Sequence, residues 1–292
     1  MKVTGFTIIR NAIKYDYPVV EAITSILPIC DEFVVAVGES EDATLALIQS
    51  IRSDKIRIIQ TVWDDTLREG GKVLADETNK AIAAIAPDTD WAFYIQSDEV
   101  VHEQYLPMIQ RAMQTSLNDS KIEGLLLNYI HFYGSYRYVA DSRSWYRREI
   151  RVFRHTGNVV AYKDAQGFRT KENRKLSVRL IDAYVYHYGW VKSLDKQKAK
   201  MTNFSKYWYD DARLEKVRQE VSAFDYSGID SLEPFSGTYP AVMAERVRTG
   251  DTGFTHETTN KRLSLKKRVL LYVEQRTGWR IGEYRNYRLV EK

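Results

Sequence analysis

The 292-residue chain has one cysteine, Cys30. That excludes an internal disulfide framework and fits a reducing compartment. It has no apolar run approaching the length of a membrane span, and its first apolar segment is short and broken by Arg10. The expectation is therefore a soluble, cytoplasmic protein without a signal peptide. No internal repeat or low-complexity tract stands out. The main body lacks an excess of either charge: residues 1–260 hold 33 Lys and Arg against 36 Asp and Glu. A nucleic-acid binder is thereby disfavoured. Residues 261–292 differ, with 10 Lys and Arg against 3 Glu. What is present is ordinary globular material, 44% hydrophobic and 28% charged, enough for one large domain with a tail or for two domains. Tyrosine is abundant at 20, with 6 Trp, which suits stacking on sugars or bases and also plain packing.

Taken in order, Val3 to Ile9 reads as a strand, followed by a polar turn at Arg10-Asn11. Pro18 opens a helix carrying Val19, Val20, Ile23, Ile26 and Leu27 at helical spacing. Phe33 to Val37 is a second strand, and Asp42 is the expected N-cap of the helix after it. Ile56 to Val62 is a third strand. Gly70-Gly71 precedes a helix running through Ile85, and Trp91 to Ile95 is the fourth strand. This alternation with short connections predicts a mostly parallel sheet with helices on both faces over residues 1–115. Beyond it lie an apolar strand from Gly124 to Tyr129, an aromatic stretch at 130–138, and alternation from Trp145 to Arg154. A loop signal at 163–167 and a strand from Val178 to Tyr188 follow. Residues 192–221 are helical and polar, and Pro234, Gly237 and Pro240 mark an irregular loop. We expect one domain over residues 1–225 and a basic, helical and irregular extension over 226–292, packed on or near it.

The fourth strand ends abruptly in Gln96-Ser97-Asp98-Glu99. In an open α/β sheet the ligand crevice lies beyond the carboxyl ends of the strands. Adjacent carboxylates there are costly to desolvate unless a cation or polar ligand shares the site. On the residues alone, acids opening the next helix explain them equally well.

Phe6-Thr-Ile-Ile-Arg-Asn11, Ser40-Glu-Asp-Ala-Thr44, the Gly71-to-Asn79 helix, Gln96-Ser-Asp-Glu99, Glu149-Ile-Arg-Val-Phe-Arg154, Tyr162 to Phe168 and His187-Tyr-Gly-Trp190 follow one another at telling spacing. Together, over about residues 3–190, they resemble GT-A glycosyltransferases, especially the inverting family 2. The resemblance implies a Rossmann-like GT-A fold that moves a sugar from a nucleotide-diphosphate sugar, with Mn²⁺ or Mg²⁺ as cofactor. The implied acceptor is a glycan or lipid-linked saccharide, as in cell envelope polysaccharide biosynthesis. Asp98 and His187 fall at the metal positions, and Asp164, with Glu149 and Glu99 as rivals, at the catalytic base. Asn11, Glu39, Asp42, Lys72, Gln96, Ser97, Arg151 and Arg154 are the implied donor contacts. The sequence departs from the family at Gln96, where the Asp-x-Asp motif has its first acid, and at Val37-Gly38, where many relatives carry an acidic pair.

This chemistry needs those residue types. The leaving diphosphate must be stabilised, which a divalent cation does with one or two carboxylates besides the phosphates. An imidazole such as His187 suits Mn²⁺ better than Mg²⁺. Arg151 and Arg154 suit forked contacts to a diphosphate, and equally a solvated strand edge. Asp164 is also a natural turn residue. His102 and His131 make weaker ligand candidates, and Trp145, Tyr188 and Trp190 are stacking or core residues. The basic tail reads as a helix packed on the domain or as a peripheral contact with anionic lipid, at the inner face of the membrane. Two rival functions are a catalytically silent nucleotide- or carbohydrate-binding protein and a nucleotidyltransferase. The latter needs a glycine-rich phosphate loop that Arg10-Asn-Ala-Ile13 is not.

Overall fold

The computed structural model describes residues 1–250, 252–259 and 261–291. Its first half runs β1 (Val3–Ile9), α1 (Val19–Ile26), β2 (Glu32–Gly38), α2 (Thr44–Gln49), β3 (Ile56–Thr61), α3 (Lys72–Ala83) and β4 (Trp91–Tyr94). β3, β2, β1 and β4 lie side by side, all parallel. Burial explains why these runs are nearly all apolar. Side chains of β2 alternate between two cores: Phe33, Val35 and Val37 join α1 and α2 on one face, while Val34 and Ala36 join Ala81, Ile82 and Ile85 of α3 and its C-terminal end on the other. A parallel sheet covered on both faces has no polar side to show.

The chain then reverses. β5 (Glu99–Val101) leads into α4 (Leu106–Ser116), which packs Ile109 and Met113 on the α1 face. β6 (Gly124–Tyr133) is longer than its apolar run suggested and turns at Gly134, φ +71°, into β7 (Ser135–Ala140). The aromatic stretch at 130–138 is thus a strand, a turn and a strand. β8 (Arg148–Arg154) pairs antiparallel with both β4 and β6, so it joins the parallel half to the rest. β9 (Val159–Tyr162) and β10 (Gly167–Thr170) form a separate hairpin. β11 (Ser177–Trp190) lies parallel to β6 and antiparallel to β5. Its register sets His187 opposite His131 on one side and Glu99 on the other.

The remaining elements are α5 (Leu194–Ser205), α6 (Asp211–Ser222), β12 (Leu232–Pro234), α7 (Ala244–Thr249), α8 (Leu265–Thr277) and β13 (Arg288–Glu291). β12 adds to the β7 edge and ends on Pro234, a residue sheets tolerate at an edge. β13 adds to β11. The segment expected to be irregular is therefore pinned to the sheet at two places. Most of the many aromatics pack. Phe132, Tyr136, Tyr186 and Tyr188 fill one satellite core, and Tyr133, Trp145, Trp190 and Tyr226 gather in another. No helix among the described residues is long and apolar enough to cross a membrane.

Candidate active site

At the end of β4 the chain makes a tight turn, closed by Glu99 N–H donating to Gln96 O at 3.0 Å. The Tyr188 N–H donates to the Asp98 carbonyl at 2.8 Å, tying this turn to β11. Asp98 Oδ2 accepts from Lys200 Nζ at 3.0 Å and stands 3.9 Å from His187 Nε2. Burial alone would raise the Asp98 pKa. Lys200, His187 and Lys192 outweigh it and hold the carboxyl well below the usual carboxylate range.

The proton positions on the two histidines follow from their partners. His131 Nε2 is 2.7 Å from the Tyr146 carbonyl, so it carries the hydrogen and donates. Its Nδ1 is then an acceptor for His187 Nδ1, 3.0 Å away. That leaves the lone pair of His187 on Nε2, the atom facing Asp98. Burial pushes both rings down, His131 to about 3 and His187 to about 4, so both are neutral near pH 7. A metal-binding imidazole has this arrangement, with one nitrogen free and the other ring N–H anchored. At 3.9 Å, the Asp98 and His187 side chains are close enough for one cation to touch both. Gly189 keeps the space open: a Cβ there would lie 2.6 Å from His187 Nε2 and 2.8 Å from Asp98 Oδ2. The two side chains therefore fit a divalent cation. Among the described residues no third His, Cys, Asp or Glu completes the set, so the protein would supply two ligands and leave the rest to phosphate and water.

Glu99, the other acid of the opening motif, has a different task. It is fully buried in a two-pronged ion pair with Arg151, at 2.7 and 2.8 Å. Tyr129 Oη–H donates to it at 2.7 Å and the Gln96 N–H at 3.1 Å. Arg151 also donates to the carbonyls of Ile150 and Gln166. The expected diphosphate role of Arg151 is thereby corrected: its guanidinium is fully buried, spends four of its five N–H groups on these partners and lines neither cavity described below. It is a strut between the Asp98 turn and the loop that carries Asp164.

Two cavities meet beside this strut. The smaller, about 140 Å³, lies over the carboxyl ends of β1 and β4. Arg10, Tyr17, Trp63, Gln96, Ser97, Asp98, His187 and Lys200 line it. The larger, about 730 Å³, is walled by residues 143–149, the turn between β9 and β10, the start of α3 and residues 280–287. Among the described residues Asp164 is the one common to both linings. Its neighbours Lys163 and Ala165 are in the left-handed region, at φ +56° and +60°. For residues with a Cβ this costs about 1–3 kcal/mol each and persists where the surroundings enforce it. Gly71, at φ +73°, lets the start of α3 press close; a Cβ there would lie 2.7 Å from Asp164 Cβ. Burial raises the Asp164 pKa. Glu149, in the larger cavity, accepts from Gln166 Nε2 at 3.0 Å. Burial, with Glu99 and Asp164 adding to it against the opposing Arg151, pushes Glu149 up to about 8. It is protonated at neutral pH, which leaves Asp164 the better base.

The other expected donor contacts divide. Gln96 and Ser97 do line the smaller cavity. Asn11 does not: it is buried at φ +57°, and its Oδ1 accepts from the Glu41 N–H at 2.7 Å, clamping the loop after β2. Asp42 accepts from the Thr44 and Lys14 N–H groups, at 3.0 and 2.7 Å, so it ties the start of α2 to the loop after β1. Glu39 is exposed and uses its carbonyl to hold Arg10 Nε at 3.0 Å. Lys72 lines the larger cavity, paired with Glu69 at 2.6 Å. Arg154 is the clearest correction. It caps carbonyls of Leu117, Asp119 and Ile122 over the Trp91 ring, at the opposite end of β4 from Asp98.

No protein-family model matches the chain, and no curated protein matches it. Among solved structures it is similar to S. aureus TarS. The structure of TarS residues 1–349 in complex with UDP matches at 13% identity over 76% of this chain and 71% of that one, with TM-score 0.42. A longer TarS structure matches at 14% identity over 76% of this chain and 43% of that one, TM-score 0.43. The glucosyl-3-phosphoglycerate synthase of Mycobacterium tuberculosis, in complex with Mn²⁺, UDP-glucose and phosphoglyceric acid, matches at 16% identity over 44% of this chain and 43% of that one, TM-score 0.30. These likenesses are distant, and the chemistry of the site carries the functional reading.

Sequence reasoning missed the cations around Asp98. Lys200 lies in a polar helix, among other lysines, with nothing in its spacing to single it out. Lys192 is buried with its ammonium on the carbonyls of Tyr15 and Asp16, at 2.9 Å each, and burial lowers its pKa to about 7. His131 was legible only as a weak ligand candidate. The structure makes it the anchor of His187.

Proposed function

We propose that this protein is a glycosyltransferase of GT-A, family 2 type, that moves a sugar from a nucleotide-diphosphate sugar to a saccharide hydroxyl with inversion. The observation that carries the reading is the position of Asp164, a half-buried carboxylate shared by a cation-ready cleft and a cavity wide enough for a second substrate. The smaller cavity takes the nucleotide diphosphate, at the crevice where such sheets bind nucleotides. Asp98 and His187 would hold a divalent metal there, and Mn²⁺ suits the imidazole. When bound, that ion neutralises charge on the leaving diphosphate. Lys200, which lines this cavity and touches Asp98, adds positive charge on the same side. Asp164 accepts the proton of an acceptor hydroxyl lying in the larger cavity, on the side away from the leaving group. In-line attack from there inverts the anomeric carbon. Protonated Glu149 beside it donates a hydrogen bond and adds no second negative charge.

A lipid-linked acceptor accords with α8. Leu265, Val269 and Tyr272 recur on one face and are 80%, 61% and 59% exposed. Lys266, Arg268 and Arg276 are exposed on the same helix. Apolar anchors flanked by cations suit an anionic membrane surface, and the segment after α8 walls the larger cavity.

Asp164→Asn tests the assignment. Nucleoside diphosphate affinity should hold while sugar transfer falls by about 10²–10⁴, the usual range for a lost general base. Wild-type transfer by that variant would move the base elsewhere.

A further inference from the structure

The larger cavity is more basic than an acceptor site for a neutral sugar needs to be. Six cations line it. Four are engaged: Lys72 with Glu69, Arg147 with Glu283, and Arg143 and Arg280 with Glu274. Arg148 and Lys163 have no carboxylate at ion-pair distance among the described residues. Arg148 is half-buried. Its Nε donates to Asn128 Oδ1 at 3.0 Å, which fixes the plane of the guanidinium. Burial, then the charge of neighbouring Arg147, works against its positive form. Tyr287 and the more distant Glu283 offset this only in part, and a partly desolvated guanidinium with no directly paired carboxylate gains from a ligand that supplies one. Lys163 adjoins the base, with its ammonium over the rings of Tyr162 and Tyr284, and its left-handed backbone is strained to place it there. A planar fork and a point charge in one cavity match an oxyanion with several acceptor oxygens.

We infer that the acceptor is an anionic saccharide, and that Arg148 and Lys163 hold its phosphate or carboxylate group within reach of Asp164. This deepens the reading of the larger cavity as the acceptor site and rests on it. Binding the charged group there presents a nearby hydroxyl to the base, so charge selects the acceptor and orients it.

The test uses the full chain with UDP and Mg²⁺ in excess, so that the donor cavity is filled. Calorimetric titrations with glucose 1-phosphate, glucuronic acid and methyl glucoside are compared. At least one anionic sugar should bind about tenfold or more tightly than methyl glucoside, and the one that does identifies the group. Arg148→Gln with Lys163→Gln should remove that margin. Lys163→Gln alone, at an exposed position, should reduce it severalfold. Equal affinity for the three sugars, no binding at millimolar concentration, or a margin that survives both substitutions overturns the inference. UDP affinity is read in a separate titration. Its absence would count against the donor cavity and leaves the charge preference of the other cavity to be read on its own.

Discussion

The cavity at Asp98 and the cavity beyond Asp164 are built on opposite plans. The first takes its chemistry from strands and their ends: Arg10 directly follows β1, Gln96 and Asp98 sit in the tight turn after β4, and His187 lies within β11. Its charges are buried and compensated, with Lys200 on Asp98 and one histidine anchoring the other. The second is assembled from segments far apart in the chain, including a strained turn and the start of α3. It holds two cations, Arg148 and Lys163, with no carboxylate at ion-pair distance among the described residues, and a carboxyl group pushed up to about 8. The difference suggests a division of labour. A rigid, balanced site suits a donor common to many reactions, whereas a site made of loops is where acceptor specificity is set.

The largest expected effect falls on the compensated side. Asp98→Ala should abolish the metal-dependent part of nucleoside diphosphate binding, with the fold retained by circular dichroism. Unchanged affinity in the presence of Mn²⁺ would remove Asp98 from the metal site. Arg151→Met should damage both cavities at once, because the strut joins the Asp98 turn to the Gln166 carbonyl. Leaving Glu99 buried without its partner should cost about 3–5 kcal/mol in a denaturant titration. A loss below about 1 kcal/mol would show that the two sides are held independently.

A smaller effect isolates the anchor. His131→Phe keeps the ring packing but frees His187 Nδ1. Mn²⁺ affinity, read from nucleotide binding at rising metal, should fall about 10–100-fold. An unchanged metal titration would mean that His187 needs no orienting partner.

On the acceptor side the effect is on pH dependence rather than on binding. Glu149 is raised from the ordinary 4.5 to about 8 in the folded chain. Between those values the folded state binds a proton that the unfolded chain releases, so stability falls as pH rises through that window. Glu149→Gln should flatten the dependence of the thermal midpoint over about pH 5–8 and gain relative to wild type above it. Parallel profiles would show that Glu149 ionises normally.

The same contrast explains what the sequence made legible. The four parallel strands were readable because residues buried on both faces form unbroken apolar runs, as in Phe33 to Val37. Asp98 was readable because it follows such a run, and the expected starts of β1 and β4 match the observed ones. Arg151 misled because alternation in Glu149-Ile-Arg-Val-Phe-Arg154 shows that a side chain faces a layer but not which partner waits there. Its pairing with Glu99 spans 52 residues. Lys200 and Arg148 carry no local pattern, because their roles exist only after α5 and β8 have packed. The hairpin at Gly134 was hidden within an aromatic run that serves both β6 and β7. Asn11 and Asp42 sit where the resemblance put them in the chain, but their side chains spend their hydrogen bonds on neighbouring loops.

The most direct measurement is turnover across a panel of nucleotide sugars with Mn²⁺ and an anionic saccharide acceptor, with the products resolved by proton NMR. The account predicts release of nucleoside diphosphate in step with a new glycoside of inverted anomeric configuration. Nucleotide that binds at Asp98 but is never turned over, or release of pyrophosphate instead, would contradict it.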